Sequence, residues 1–132
     1  MTPNPIALAL TLRDYAVVEE TTKKVSLIGE FIAVKAPIFP SPPRSFCAYT
    51  VLTDGLGECI IELVVTRLES DEEVYSVTQP GHFVSRFMQL KVLFRVREFS
   101  FLQPGSYEFV LLVDGQQVAQ RRLRVYQGEV NS

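Results

Sequence analysis

Three residues could build a metal site if the loops that carry them gather at one end of the fold: Asp54, His82 and Asp114, joined by Asp14, Glu19 and Glu20. Carboxylate oxygens with one imidazole suit calcium or a harder transition metal. Asp54 and Asp114 each precede a glycine, however, and Asp-Gly is also ordinary turn chemistry where the backbone takes a positive φ. Their spacing matches no ligand motif. His82 is the only histidine, so any imidazole base must be this residue. Ser76, Ser85, Cys47 and Cys59 are the nucleophiles it could serve, and none sits in a nucleophile elbow. No catalytic residue and no cofactor is expected.

The basic residues form a second candidate. Arg95 and Arg97, with Lys91, project from one face of an apolar strand, and Arg121, Arg122 and Arg124 lie on the last strand. If those strands are neighbours in one sheet, the guanidinium groups make a stripe for phosphate or a carboxylate-rich partner, with Lys23 and Lys24 adding to it. Glu98 and Glu108 stand near enough to pair with them across strands, and aromatic residues to stack on bases are few. A third candidate is apolar: Ile38 and Phe39 sit between prolines, where they either enter a partner or fold back as a cap over the open end of the core.

The chain that must position these groups has 132 residues, inside the range of about 100 to 200 residues for one domain. A single domain over 1–132 is therefore expected, with 127–132 a frayed tail. Thirteen basic against fifteen acidic residues give a net charge of −2. Such a surface exerts little long-range pull on nucleic acid or anionic lipid, so neither is the expected partner. The amino terminus has no basic n-region and its apolar run is too short to span a bilayer, which points to a cytoplasmic protein. Cys47 and Cys59 flank the Asp54-Gly55 turn. Counted as a hairpin, that turn offsets them by about five residues, roughly 17 Å at strand rise, too far for a disulfide. Two reduced thiols fit a reducing compartment.

Apolar runs of period two, bounded by turn residues, predict an all-β chain of seven or eight strands. Strands are expected at 6–13, 24–36, 46–53, 59–68, 74–78, 90–96, 107–113 and 118–126. Residues 14–22 and 69–73 read as polar connections. Residues 37–43 hold four of the eight prolines and must be a loop. Gly29, inside the second strand, predicts a bulge or a close backbone approach. Gln79-Pro80-Gly81-His82 reads as a turn, and 83–88 is open between a half-turn of helix and an extended bulge. The strongest hairpin signal is Asp114-Gly115. A two-residue loop there would put Leu123 and Val125 on the wrong face, so a bulge near 120–122 is expected to switch faces back. Strand count and turn spacing favour a single antiparallel, immunoglobulin-like β-sandwich over a barrel.

The segment Lys24-Val25-Ser26-Leu27-Ile28-Gly29-Glu30-Phe31, the proline-rich loop after it, and Pro104-Gly105-Ser106-Tyr107-Glu108-Phe109 with Val113-Asp114-Gly115 together resemble a bacterial family of uncharacterised small β-sandwich proteins. The resemblance covers most of the chain and implies a fold but no activity, because its motifs are turns and core positions. The function expected is that of a non-catalytic interaction or assembly module. Its partner is an unspecified protein or a second copy, docked through an edge strand or the proline-rich loop. The alternatives are a binder of an anionic ligand or nucleic acid through the arginines, and an ion-dependent sandwich using the loop carboxylates.

Overall fold

A computed structural model of the chain describes residues 5–129. Ten strands and no helix are found among these residues: β1 (Ile6–Ala7), β2 (Thr11–Val18), β3 (Val25–Glu30), β4 (Ala33–Ala36), β5 (Arg44–Thr53), β6 (Gly57–Arg67), β7 (Glu72–Phe83), β8 (Leu90–Phe99), β9 (Gly105–Val113) and β10 (Gln116–Gln127). They form two sheets. In the first, β3 pairs with β2 and β2 with β5. β1 lies against the far end of β5, and β8 borders its other side. The second has the order β4-β10-β9-β6-β7. The inward side chains of both sheets meet in one core that includes Leu12, Phe46, Leu52 and Phe94 from the first sheet and Ile61, Leu63, Phe109, Leu111 and Leu123 from the second. Edge-to-face ring contacts knit it together, with Phe46 lying 5.9 Å from Phe109 and Phe101 4.9 Å from Tyr107. Such pairs are each worth about 0.5–1.5 kcal/mol beyond their buried area.

The count of ten exceeds the expected seven or eight mainly because two runs divide. The single strand expected over 24–36 is β3 in the first sheet and β4 in the second. The chain crosses between them at Phe31, whose N–H donates to Leu12 O (3.1 Å), and at Ile32, whose carbonyl accepts from Arg124 N–H (3.4 Å). β4 then runs parallel to β10, so the pairing is not wholly antiparallel. An alternating apolar pattern is the same on both sides of such a crossing, and nothing local distinguishes one strand from two. Gly29 is the expected close approach. Its φ is +76°, and a Cβ there would lie 2.3 Å from Asp14 Oδ2.

Two Asp-Gly pairs behave differently. Asp114 and Gly115 have φ of 49° and 83°, as a two-residue type I′ hairpin requires. The bulge that restores the inward face of β10 does exist, but at Val118: Gln117 pairs with Leu112 and Ala119 with Leu111. Leu123 thereby stands opposite Tyr107, facing the core. At Asp54-Gly55 only the aspartate takes a positive φ (62°), and the chain passes from β5 in the first sheet to β6 in the second. The hairpin arithmetic for Cys47 and Cys59 therefore does not apply. Both are nonetheless buried free thiols.

Pro80-Gly81-His82 is not a turn. β7 runs unbroken from Glu72 to Phe83, with Pro80 opposite Ile60. Proline is tolerated there because β7 is an edge strand with one unpartnered side. Gly81 is needed for packing, since a Cβ would come within 2.7 Å of Ile61 Cδ1. Beyond it, Met88 N–H closes a tight turn onto Ser85 O (3.1 Å). At the carboxy end Gln127 still pairs with Ala36, and Gly128 N–H donates to Ala36 O (2.9 Å). The expected fraying cannot begin at 127, and 130–132 lie outside the described residues.

Candidate functional site

The loop acids do not gather at one place. Asp14 lies within β2 rather than in a connection and takes Arg44 Nη2 at 2.9 Å. Asp54 accepts from Thr53 Oγ1 (3.2 Å) in the β5–β6 crossing. Asp114 Oδ1 accepts Ile60 N–H at 2.9 Å, tying the β9–β10 turn to β6. Asp114 and His82 do share a shallow open depression of about 500 Å³ with Glu58, Cys59, Ile60, Pro80 and Gly81. Asp54 does not line it, and among the described residues no three His, Cys, Asp or Glu side chains are grouped to hold an ion. Burial, and then the nearby Asp114 carboxylate, push the Cys59 thiol up, so its reactive thiolate is disfavoured. Ser76 lies on β7 opposite Val64, six residues from His82 and roughly 20 Å along the strand.

The arginines divide between the sheets. Arg95 and Arg97 are on β8 in the first, whereas Arg121, Arg122 and Arg124 are on β10 in the second. The condition for a single stripe, neighbouring strands in one sheet, is not met. Arg122 pairs with Glu108 (3.7 Å) and Arg121 with Glu30 (3.7 Å). Arg95 Nη1 donates to Ala16 O at 3.2 Å. Arg124 lies with Arg67 and Glu69 around a separate shallow depression.

Ile38 and Phe39 also part company. Phe39 packs against the core, whereas Ile38 is 63 % exposed. Ser41 pins the loop, its N–H donating to Phe101 O and its Oγ accepting Phe101 N–H, both at 2.8 Å.

What sequence reasoning missed is the β2–β3 hairpin. Cys47 pairs with Arg13 of β2 on one side and Arg95 of β8 on the other, so β2 and β8 flank β5. Yet Arg95 reaches Ala16 O, and Lys91 Nζ donates to Lys23 O at 3.0 Å. The distal hairpin therefore leaves the plane of its sheet at the Asp14–Gly29 irregularity and leans over β5 toward β8 as an arm. This explains why Phe46, Cys47 and Ala48 are all buried in succession, where a strand with one wet face would alternate. One strip of the arm's surface is apolar: Tyr15 is 52 % exposed, Val17 53 % and Ile28 41 %. The signal was present in Tyr15-Ala16-Val17-Val18, an apolar run directly after Asp14. Asp14 itself, with the acids at 19 and 20, made the stretch read as a polar connection.

One family model matches residues 8–126. The chain belongs to DUF6941, a family of unknown function. The match takes in both sheets, from the approach to β2 through most of β10, and so covers the arm as well as the core. No curated protein matches the chain. Among the described residues no helix is long and apolar enough to cross a membrane.

Proposed function

We propose that this DUF6941 chain is a non-catalytic interaction or assembly module built on an immunoglobulin-like β-sandwich, acting in the cytoplasm on a protein partner. Three features support the immunoglobulin-like assignment. The β5–β6, β7–β8 and β8–β9 connections each pass between the sheets, in the manner of that fold. Tyr107 donates its hydroxyl to Gln103 O at 2.6 Å, the geometry of a tyrosine corner. Two residues on, where antibody domains carry the second cysteine of their inter-sheet bridge, stands Phe109. Its ring meets Phe46 across the core at 5.9 Å and joins the sheets without a disulfide.

The observation that carries the functional reading is the arm. Tyr15, Val17 and Ile28 lie together in register, Tyr15 directly opposite Ile28. Burying such a side chain from full exposure is worth about 1.5–3 kcal/mol, and because these are already about half buried, a partner would recover roughly half of that for each. A protein surface is the favoured partner because the arginines needed for phosphate are separated and partly matched to carboxylates. The test is capture from the protein's own cell lysate, comparing the wild type with Tyr15→Ser/Val17→Ser/Ile28→Ser. A protein retained in fixed ratio by the wild type and lost from the folded variant is the expected result. Equal retention by the two would rule out the arm.

A further inference from the structure

Resting on that reading of the arm, we infer that its occupant is a second copy of this chain, paired edge to edge through β3 about a twofold axis at Leu27. Among the described residues β3 pairs with β2 alone, leaving its other side free. The remaining edges carry the devices that discourage strand addition. β7 has Pro80, Glu72 and Glu73; β8 has Lys91, Arg95 and Arg97; β4 is four residues long with Lys35 in it, and β1 is only two residues long. The strand Val25-Ser26-Leu27-Ile28-Gly29-Glu30 has neither proline nor lysine, and its one charge, Glu30, is at its end.

The hydrogen-bond register selects the twofold. Glu19 N–H donates to Lys24 O (2.9 Å), and the ladder continues with Val18 opposite Val25, Val17 opposite Ser26, Ala16 opposite Leu27 and Tyr15 opposite Ile28. Opposed pairs in an antiparallel ladder alternate between bonded and non-bonded. Ser26 and Ile28 therefore spend their backbone groups on β2, while Val25 and Leu27 point theirs at the free edge. Two copies with Leu27 on the axis bond Leu27 to Leu27 and bring Val25 opposite Gly29, whose φ of +76° ends the regular ladder. Ser26 then stands against Ile28 in a closely spaced pair, with Cα atoms about 4.5 Å apart, and Lys24 falls near Glu30 just beyond it. Symmetry supplies the Lys24–Glu30 match twice. Sliding the register by one repeat to either side loses both charge pairs and shortens the ladder. The apolar strip also becomes continuous, as Tyr15 and Ile28 of one copy meet Ser26 and Val17 of the other.

Sedimentation equilibrium of the purified protein should report a reversible dimer. Leu27→Pro removes an N–H that faces outward, so it should give a monomer that keeps its β-sheet circular dichroism. Lys24→Glu and Glu30→Lys should each weaken the dimer several-fold, and the double variant should restore it. Glu30 also lies near Arg13 (3.9 Å) and Arg121 (3.7 Å), so thermal unfolding must be followed in parallel. Should Leu27→Pro fail to fold, mixed Ser26→Cys and Ile28→Cys proteins supply the test. Oxidation should join the two variants to each other and neither to itself. A wild type that stays monomeric at all concentrations, or cysteine variants that do not cross-link, overturns the inference. If such a monomer still captures another protein through Tyr15 and Val17, the interaction reading survives and only the second copy is excluded.

Discussion

The two hairpins β9–β10 and β2–β3 solve the same geometric problem and end in opposite circumstances. β9–β10 turns through Asp114-Gly115, is paired on both flanks, and sends Tyr107, Phe109, Leu111, Val113, Leu123 and Val125 into the core. β2–β3 turns through Glu19-Glu20-Thr21-Thr22-Lys23, is paired on one flank, and leaves Tyr15, Val17 and Ile28 in solvent. Apolar side chains therefore serve stability in one and stay in contact with water in the other. What separates them is the irregularity at Asp14 and Gly29, which lifts the arm out of its sheet before its apolar residues can reach the core.

The sharpest break of that contrast is Phe109→Ala against Tyr15→Ala. Deleting the fully buried ring should cost about 3–5 kcal/mol, whereas the exposed one should change stability by no more than about 0.5 kcal/mol. Chemical denaturation of the two variants side by side checks this. Glycine substitutions come next. Gly29→Ala forces a Cβ onto Asp14 and Gly115→Ala meets no atom within 4 Å, though both have positive φ. Gly115→Ala should cost about 1 kcal/mol. Gly29→Ala should cost more and also speed proteolysis in 14–30, since it breaks the seat of the arm.

Tyr107→Phe removes one short hydrogen bond to Gln103 O and should cost about 0.5–1.5 kcal/mol. Its pH dependence has a definite sign. Burial raises the Tyr107 phenol above its ordinary value of 10.0, so its contribution is complete below pH 10 and is lost as pH rises from there through the folded-state value. The melting temperature of the wild type should fall in that alkaline window, and that of Tyr107→Phe should fall less steeply. Tyr49, raised by burial as well, contributes in the same direction.

The smallest effect belongs to Glu69. Its two oxygens accept Ser106 N–H at 2.9 and 3.0 Å, and those bonds hold its carboxyl below the ordinary 4.5. The stability it contributes is present above pH 4.5 and lost as pH falls through the lower folded value. Glu69→Gln should flatten the acid limb of the stability curve slightly, because the side chain is exposed.

Much of the fold is legible along the chain because β periodicity is local. Residues 46–53, 59–68, 90–96 and 107–113 all fall inside observed strands or within one residue of their ends, and the Asp114-Gly115 turn and a face-switching bulge both exist. The misreadings share a cause. Pro80-Gly81 carries the composition of a turn, but an edge position accepts the proline and close packing requires the glycine. Asp54-Gly55 carries the composition of a hairpin, but the inter-sheet crossing leaves only its aspartate at positive φ. Whether the arginines form one stripe stayed open along the chain, because a linear sequence does not say which sheet a strand joins.

Alternation of apolar and polar residues and obligatory turn residues determined by themselves that this chain would be a β protein with a greasy interior, because each depends on neighbours a few positions away. Which strands became edges, where the chain crossed from one sheet to the other, and that Asp14 to Glu30 would stand out as an arm were decided only in three dimensions. Those outcomes depend on hydrogen-bond partners tens of residues distant, such as Lys91 with Lys23 and Arg124 with Ile32.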